Sequence, residues 1–155
     1  MQHDTLLQLL ESQQARFRVI EHPPEGRSDL VAEIRGTAPG QGAKAMLCKS
    51  KDGAGELALV ILSGDRKLDF RKVAEALGIK KATLASPEEA MAATGNVIGA
   101  IPPFAEPGMR LLVDPALVES YGEIAFNAGR LDRSMVLNTE DYLRIAQPTL
   151  VSVCS

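Results

Sequence analysis

The sequence predicts an α+β fold, a single domain over residues 1–155 whose mixed, curled, barrel-like β-sheet is flanked by helices. Three observations carry this expectation. The chain has 155 residues, close to one typical domain of about 100–200 residues. Its composition, 45% hydrophobic and 24% charged, is that of an ordinary globular protein. Short apolar and alternating runs are interleaved with amphipathic stretches, without the regular strand–helix–strand rhythm that builds a parallel α/β sheet.

Each element follows from local pattern. Asp4 or Thr5 can cap a first helix whose leucines at 6, 7, 9 and 10 form one apolar face. Residues 16–20 alternate like a strand, and Pro23, Pro24 and Gly26 then force a loop. Ser28 can cap a short helix through Ile34, ended by Gly36 and Pro39. Residues 43–49 and 57–62 read as two strands joined by a Lys-Asp-Gly turn, a β-hairpin. Residues 69–77 form an amphipathic helix stopped by Gly78. Ser86-Pro87-Glu88-Glu89 is a capping box with proline at the first helical position, opening an exposed helix to Thr94. Beyond Gly95, strands are expected at 96–98, 110–113, 123–127, 134–137 and 149–153. Thr139 can cap a last helix through Ala146, closed by Pro148.

Charge narrows the function classes. Seventeen Lys and Arg against twenty Asp and Glu give a net charge of −3, which disfavours wrapping a long nucleic acid. Residues 35–81 nevertheless hold ten basic and five acidic side chains, and both flanks are acidic. A locally basic face on an acidic protein suits a small polyanion, such as an acceptor end or a nucleotide, better than a duplex groove. The longest clean apolar run, residues 57–62, is far short of the roughly 20 residues of a membrane helix. The first residues carry an acid and amides where a secretory signal has basic and apolar ones, so the expected compartment is the cytoplasm, with no membrane partner. Cys48 and Cys154 lie far apart and the histidines number two, His3 and His22; free thiols and no metal or other cofactor are expected.

Two segments carry chemistry. Residues 36–45, GTAPGQGAKA, look like a phosphate loop but fail as one: Ala43 and Ala45 flank Lys44 where that motif needs Gly and Ser or Thr, and a strand follows instead of a helix. What survives is Lys44 at the start of a strand, able to grip one phosphate as a point charge or to sit as a surface lysine on an edge strand. Residues 99–104, Gly-Ala-Ile-Pro-Pro-Phe, form a stiff loop in which Gly99 permits close approach of a backbone or a ligand; a plain rigid turn is the alternative. The motifs of common hydrolases are missing, so an enzyme here must work by positioning and electrostatics on a reactive substrate such as an activated ester.

These two segments, in this order and separation, resemble the YbaK and prolyl-tRNA synthetase-associated editing domain family. The resemblance runs from residues 16–22 to 150–151 through 33–37, 40–44, 64–69, 84–88, 99–104 and 123–129, and looks closest to the free-standing YeaK-like branch. It implies a trans-editing aminoacyl-tRNA deacylase that hydrolyses the ester of tRNA mischarged with a small amino acid, alanine, serine or threonine. The implied partners are the acceptor 3′ end of the mischarged tRNA and, as a further candidate, an aminoacyl-tRNA synthetase. Matched residue by residue, the family's lysine falls on Lys44, expected to bind an acceptor-end phosphate. Its G-x-x-x-P loop falls on Gly99 to Pro103, with the Gly99 amide on the substrate carbonyl and the loop carbonyls on the α-amine and the attacking water. The resemblance further implies that a free ribose hydroxyl of the substrate assists proton transfer. Asn127 stands where several relatives carry histidine near the pocket. Ile34, Met46, Ile101 and Phe104, with Ala100, Pro102 and Asn127, are expected to contact substrate. Two readings compete: a non-hydrolytic module that binds aminoacyl-tRNA or a nucleotide or docks on a synthetase, and a thiol hydrolase using Cys48 with His22.

Overall fold

The structure is a computed structural model that describes residues 1–53 and 55–155. It is α+β, but the strands form two open sheets instead of one curled, barrel-like sheet. Strands β1 (Phe17–Glu21), β2 (Ala43–Ser50), β3 (Ala58–Ser63), β4 (Ala82–Leu84), β5 (Arg110–Val113), β6 (Glu123–Arg130), β7 (Arg133–Asn138) and β8 (Thr149–Leu150) are interleaved with six helices. One sheet is antiparallel in the order β1-β7-β6; the other is mixed, in the order β4-β2-β3-β5-β8. An isolated parallel bridge, Gly42 to Ala125, ties the start of β2 to β6 and brings the two sheets together at that point.

The expected hairpin is present: β2 and β3 pair antiparallel from Ala43↔Ser63 to Cys48↔Ala58. Its turn forms at 51–53, where the Gly53 amide donates to the Ser50 carbonyl at 3.0 Å. All six residues of β3 are buried, which accounts for a continuous apolar run in place of alternation. Leu59 and Ile61 face the main core with Leu6, Leu10, Phe126 and Leu137; Val60 and Leu62 face a second, smaller core with Val73, Leu112 and Cys48. Fully burying a Val, Leu or Ile side chain contributes about 1.5–3 kcal/mol, so this strand is where the two cores join.

Helices α1 (His3–Ser12), α2 (Ser28–Arg35), α3 (Phe70–Leu77), α4 (Pro87–Thr94), α5 (Pro115–Ser120) and α6 (Thr139–Ala146) use several of the expected caps and not others. Asp69 caps α3, its side chain accepting from the Arg71 and Lys72 amides. The capping box opens α4 as read, Ser86 accepting from the Glu89 amide and the Glu89 carboxylate from the Ser86 amide. Neither Asp4 nor Thr5 caps α1, which begins earlier at His3. Ser28 lies inside the first turn of α2, and Gly36, at φ 72°, ends that helix directly after Arg35. Asn138 caps α6; the Thr139 hydroxyl instead donates to the Tyr121 carbonyl at 2.7 Å.

Other expectations are corrected. Residues 96–98 are a turn, because Asn96 donates to Met1 O and the Ala100 amide closes back on Val97 O, leaving no strand ladder. The last strand stops at Leu150; the Val153 and Cys154 amides are drawn to the Asp114 carboxylate at 2.9 and 3.2 Å. Strand β4 and helix α5 were not expected. Among the described residues no helix is long and apolar enough to cross a membrane.

Helix α6 is anchored to the chain before β1 by Asp141, which accepts from Arg16 N and Nε at 2.8 and 3.0 Å. The Arg16 guanidinium holds the Asp141 carboxyl down to about 2, from an ordinary 3.8. A folded-state value below the unfolded one gives stability that is present above about pH 4 and is lost as pH falls towards 2. Melting temperatures measured from pH 5 to 2 should therefore fall less steeply in Asp141→Asn, which starts from a lower value at pH 5. An equal slope in both proteins removes this ion pair as a source of acid lability.

Candidate active site

A small cavity of about 130 Å³ opens where the two sheets meet. Its walls are Val31 and Arg35 of α2, residues 42–46 at the start of β2, Ile98, Gly99 and Ile101 of the proline loop, Ala125 to Asn127 of β6, and Gly26 and Ser28. The Gly42–Ala125 bridge closes its base. Five of the residues singled out in the sequence, Lys44, Met46, Gly99, Ile101 and Asn127, thus line one hollow.

The others do not. Ile34 is 42% exposed on the outer face of α2 and is absent from the wall. Ala100, Pro102, Pro103 and Phe104 are buried in the core behind the loop. The Phe104 ring packs edge-on against Phe126 and Tyr142, at centroid separations of 6.3 and 5.3 Å. The loop carbonyls are also largely committed within the protein: Gly99 O to Asn127 Nδ2, Ala100 O to the Gly129 amide, Pro102 O to the Phe104 amide and Pro103 O to the Tyr142 hydroxyl. These bonds hold the loop in place, and each uses one of the two lone pairs of its carbonyl oxygen.

Tyr142 is the strongest of these anchors. Its hydroxyl donates to Pro103 O at 2.7 Å in a fully buried setting, and that burial pushes the phenol pKa up, so the group stays a neutral donor. Tyr142→Phe leaves a buried carbonyl unsatisfied, at a cost of about 1–3 kcal/mol. Urea unfolding should show this loss; an unchanged midpoint removes the anchoring role.

Lys44 is half-buried, with Nζ donating to Arg66 O at 2.6 Å, and burial lowers its pKa below the ordinary lysine value. Strand β4 covers β2 only from Cys48 to Ser50, so at Lys44 the strand has a free edge. Arg35 is the cation the sequence reading missed. It is half-buried, and desolvation lowers its pKa to about 10; among the described residues it makes no ion pair. Its donors meet neutral groups, Nε on Ser134 Oγ at 2.7 Å and Nη2 on Asn127 Oδ1 at 3.2 Å. Gly26 and Ser28 were also missed as wall residues, Ser28 having been read as a helix cap.

Among the described residues, no carboxylate, imidazole or thiol lines the cavity. Cys48 is fully buried in the smaller core, where burial pushes its thiol up to about 12. His22 bonds Pro23 O and Ser134 Oγ. The reading of Cys48 as a nucleophile activated by His22 is therefore overturned: the thiolate is suppressed and the imidazole is engaged elsewhere. Among the described residues no three His, Cys, Asp or Glu side chains gather as a metal-ligand set.

Gly99 has φ 93°, and a Cβ there would lie 3.0 Å from Gly26 Cα, so the two turns are in backbone contact. Its amide meets no acceptor among the described residues.

Two open sheets thus enclose a small hollow lined by Lys44, Arg35 and the Gly99 turn. The chain belongs to the aminoacyl-tRNA editing domain family, whose model matches residues 22–145. It is 51% identical over 152 residues to the multifunctional Ser/Thr-tRNA deacylase ProXp-y of Escherichia coli K12, covering 97% of this chain and 91% of that protein. The protein of the same name from Escherichia coli O157:H7 matches to the same extent. Among solved structures, that of a hypothetical protein, APE2540, superposes with a TM-score of 0.86 at 20% identity, over 97% of this chain and 99% of the other. That of a candidate trans-editing enzyme for prolyl tRNA synthetase gives 0.82 at 23% identity, over 97% and 96%. These two likenesses show the fold.

Proposed function

We propose that this protein is a trans-editing deacylase that hydrolyses the ester joining serine or threonine to the terminal adenosine of a mischarged tRNA. The observation that carries the reading is that Lys44 and Gly99, far apart in sequence, share one hollow of about 130 Å³. That is well below the roughly 300–1,000 Å³ of pockets that take drug-sized ligands, which suits a small amino acid. The 51% identical Ser/Thr-tRNA deacylase supports the choice of amino acid. A synthetase pocket rejects near-isosteric amino acids poorly, which creates the need for such a second sieve.

In this reading the Lys44 ammonium takes a phosphate of the acceptor end and so sets the ester in the cavity. The Gly99 amide donates to the ester carbonyl oxygen, more strongly as negative charge grows there in the tetrahedral intermediate. Water adds to the carbonyl carbon, the bond to the ribose oxygen breaks, and that oxygen takes a proton relayed by the neighbouring ribose hydroxyl. The substrate-supplied relay fits a cavity without a side-chain base. Met46 and Ile101 form the apolar wall beside the amino-acid side chain. Pro103 acts at one remove, its carbonyl fixing the loop through Tyr142. The whole chain works as one editing domain in the cytoplasm, and the synthetase that makes the mischarged product is its further partner class.

Purified protein is to be incubated with tRNAs charged with radiolabelled serine, threonine, alanine or proline, and loss of the ester followed. Seryl and threonyl esters should disappear well above the uncatalysed rate. Persistence of every ester, with retarded tRNA mobility in a gel, replaces this reading with that of a binding module.

A further inference from the structure

Asn127, itself buried, sits at the centre of a partly buried polar network whose parts come from five places in the chain. Its Oδ1 accepts from Arg35 Nη2 at 3.2 Å and from Ser134 Oγ at 3.1 Å. Its Nδ2 spends both hydrogens on carbonyls, Glu25 O and Gly99 O, each at 2.8 Å. Ser134 lies directly opposite on β7 and is fully buried. Its oxygen accepts from Arg35 Nε at 2.7 Å, and His22 Nε2 lies 2.7 Å away, so its single hydrogen serves either Asn127 or the imidazole.

The arrangement is one-way. A guanidinium has donors only, so the amide face turned to Arg35 must be the oxygen. Turning Asn127 over would set its NH₂ against Arg35 and its oxygen against two carbonyls, losing three hydrogen bonds and opposing like dipoles. Arg35 and Ser134 thereby force Nδ2 towards Glu25 and Gly99 and staple the two turns that are already in backbone contact. A lysine could not do this, because it lacks the planar fork that reaches two acceptors at once.

We propose that Arg35 and Ser134 are positioning residues for deacylation: by fixing the orientation of the Asn127 amide they set the Gly99 peptide at the wall of the cavity. This rests on the deacylase reading above. It explains why a half-buried guanidinium beside the cavity is aimed at neutral partners only, and why the loop glycine is held by a side chain as well as by its prolines.

The test uses the full chain and seryl-tRNA, with Arg35→Lys and Ser134→Ala. Arg35→Lys keeps the charge and loses the fork. Both variants should lose about 10- to 100-fold in kcat, the scale of a misplaced reacting group, with KM changed less than about twofold. Full kcat in Arg35→Lys, or a rise in KM with kcat intact, overturns the proposal in favour of a charge that binds substrate. A readout independent of turnover is the exchange of the Asn127 side-chain amide hydrogens and the Gly99 amide shift by NMR. In the unmodified protein the Asn127 hydrogens should exchange slowly; exchange as fast as a free asparagine overturns the staple even if a variant fails to fold. Slow exchange in a protein that leaves every ester intact supports the staple while rejecting the deacylase reading.

Discussion

Replacing Lys44 by alanine is expected to lower kcat/KM for deacylation by about 10- to 100-fold, with the protein still folded. A charge-assisted hydrogen bond to phosphate is worth about 1.5–3 kcal/mol, and each 1.4 kcal/mol is a factor of ten. The fold should tolerate the change, since Lys44 is half-buried on the side of β2 that β4 does not cover and, among the described residues, its side chain's one hydrogen bond goes to the Arg66 carbonyl. A shift in stability of no more than about 1 kcal/mol is expected for such a site. The loss should shrink as salt is raised, because the unmodified protein is then screened down towards the variant. Full activity in Lys44→Ala removes the phosphate role and leaves the lysine as a surface side chain.

Gly99→Val should be the more damaging substitution. A side chain at φ 93° is strained, and its Cβ would press on Gly26 Cα at 3.0 Å and Gly26 O at 3.2 Å, both backbone atoms that cannot swing aside. Strain of this kind costs about 1–3 kcal/mol. The relief available is to part the two turns that Asn127 joins, which moves the Gly99 amide from the carbonyl site. A displacement near 1 Å costs on the order of 100-fold in rate. Single-turnover deacylation by Gly99→Val and Gly99→Ala should therefore fall by about that factor, alanine no better than valine if the backbone conformation dominates. Unchanged turnover in either variant sinks the assignment of the Gly99 amide to the substrate carbonyl.

Much of the fold was legible because its cues are local. The capping box at Ser86, the glycines ending α2, α3 and α4, and the unbroken apolar run of β3 each act within a few residues. Helix α5 carried the same signal as α4, an Asp114 cap followed by Pro115, and could have been read. Strand β4, at three residues, is too short for any periodicity to register. Residues 96–98 are apolar enough for a strand, yet the Asn96 side chain and the Val97 carbonyl find partners that turn the chain instead.

The site divides along the same line. Lys44 and the stiff loop at Gly99 were evident from residue type, glycine and proline placement, and the positive middle third of the chain. Arg35 and Ser134 were not, because in sequence they are one charged residue at the end of a short helix and one serine in a strand. Their meaning comes from the register of β6 on β7, which sets Ser134 opposite Asn127, and from the bridge that swings α2 and β2 against β6. Sequence by itself determined most helix and strand identities, the family and the two chemical segments, since those depend on neighbours along the chain. Only the tertiary structure decided that the sheets stay open, that Ile34 and Phe104 stand away from the hollow, and that the Arg35 guanidinium meets Ser134 and Asn127 beside it. Burial and hydrogen-bond geometry between distant segments are properties of the packed molecule.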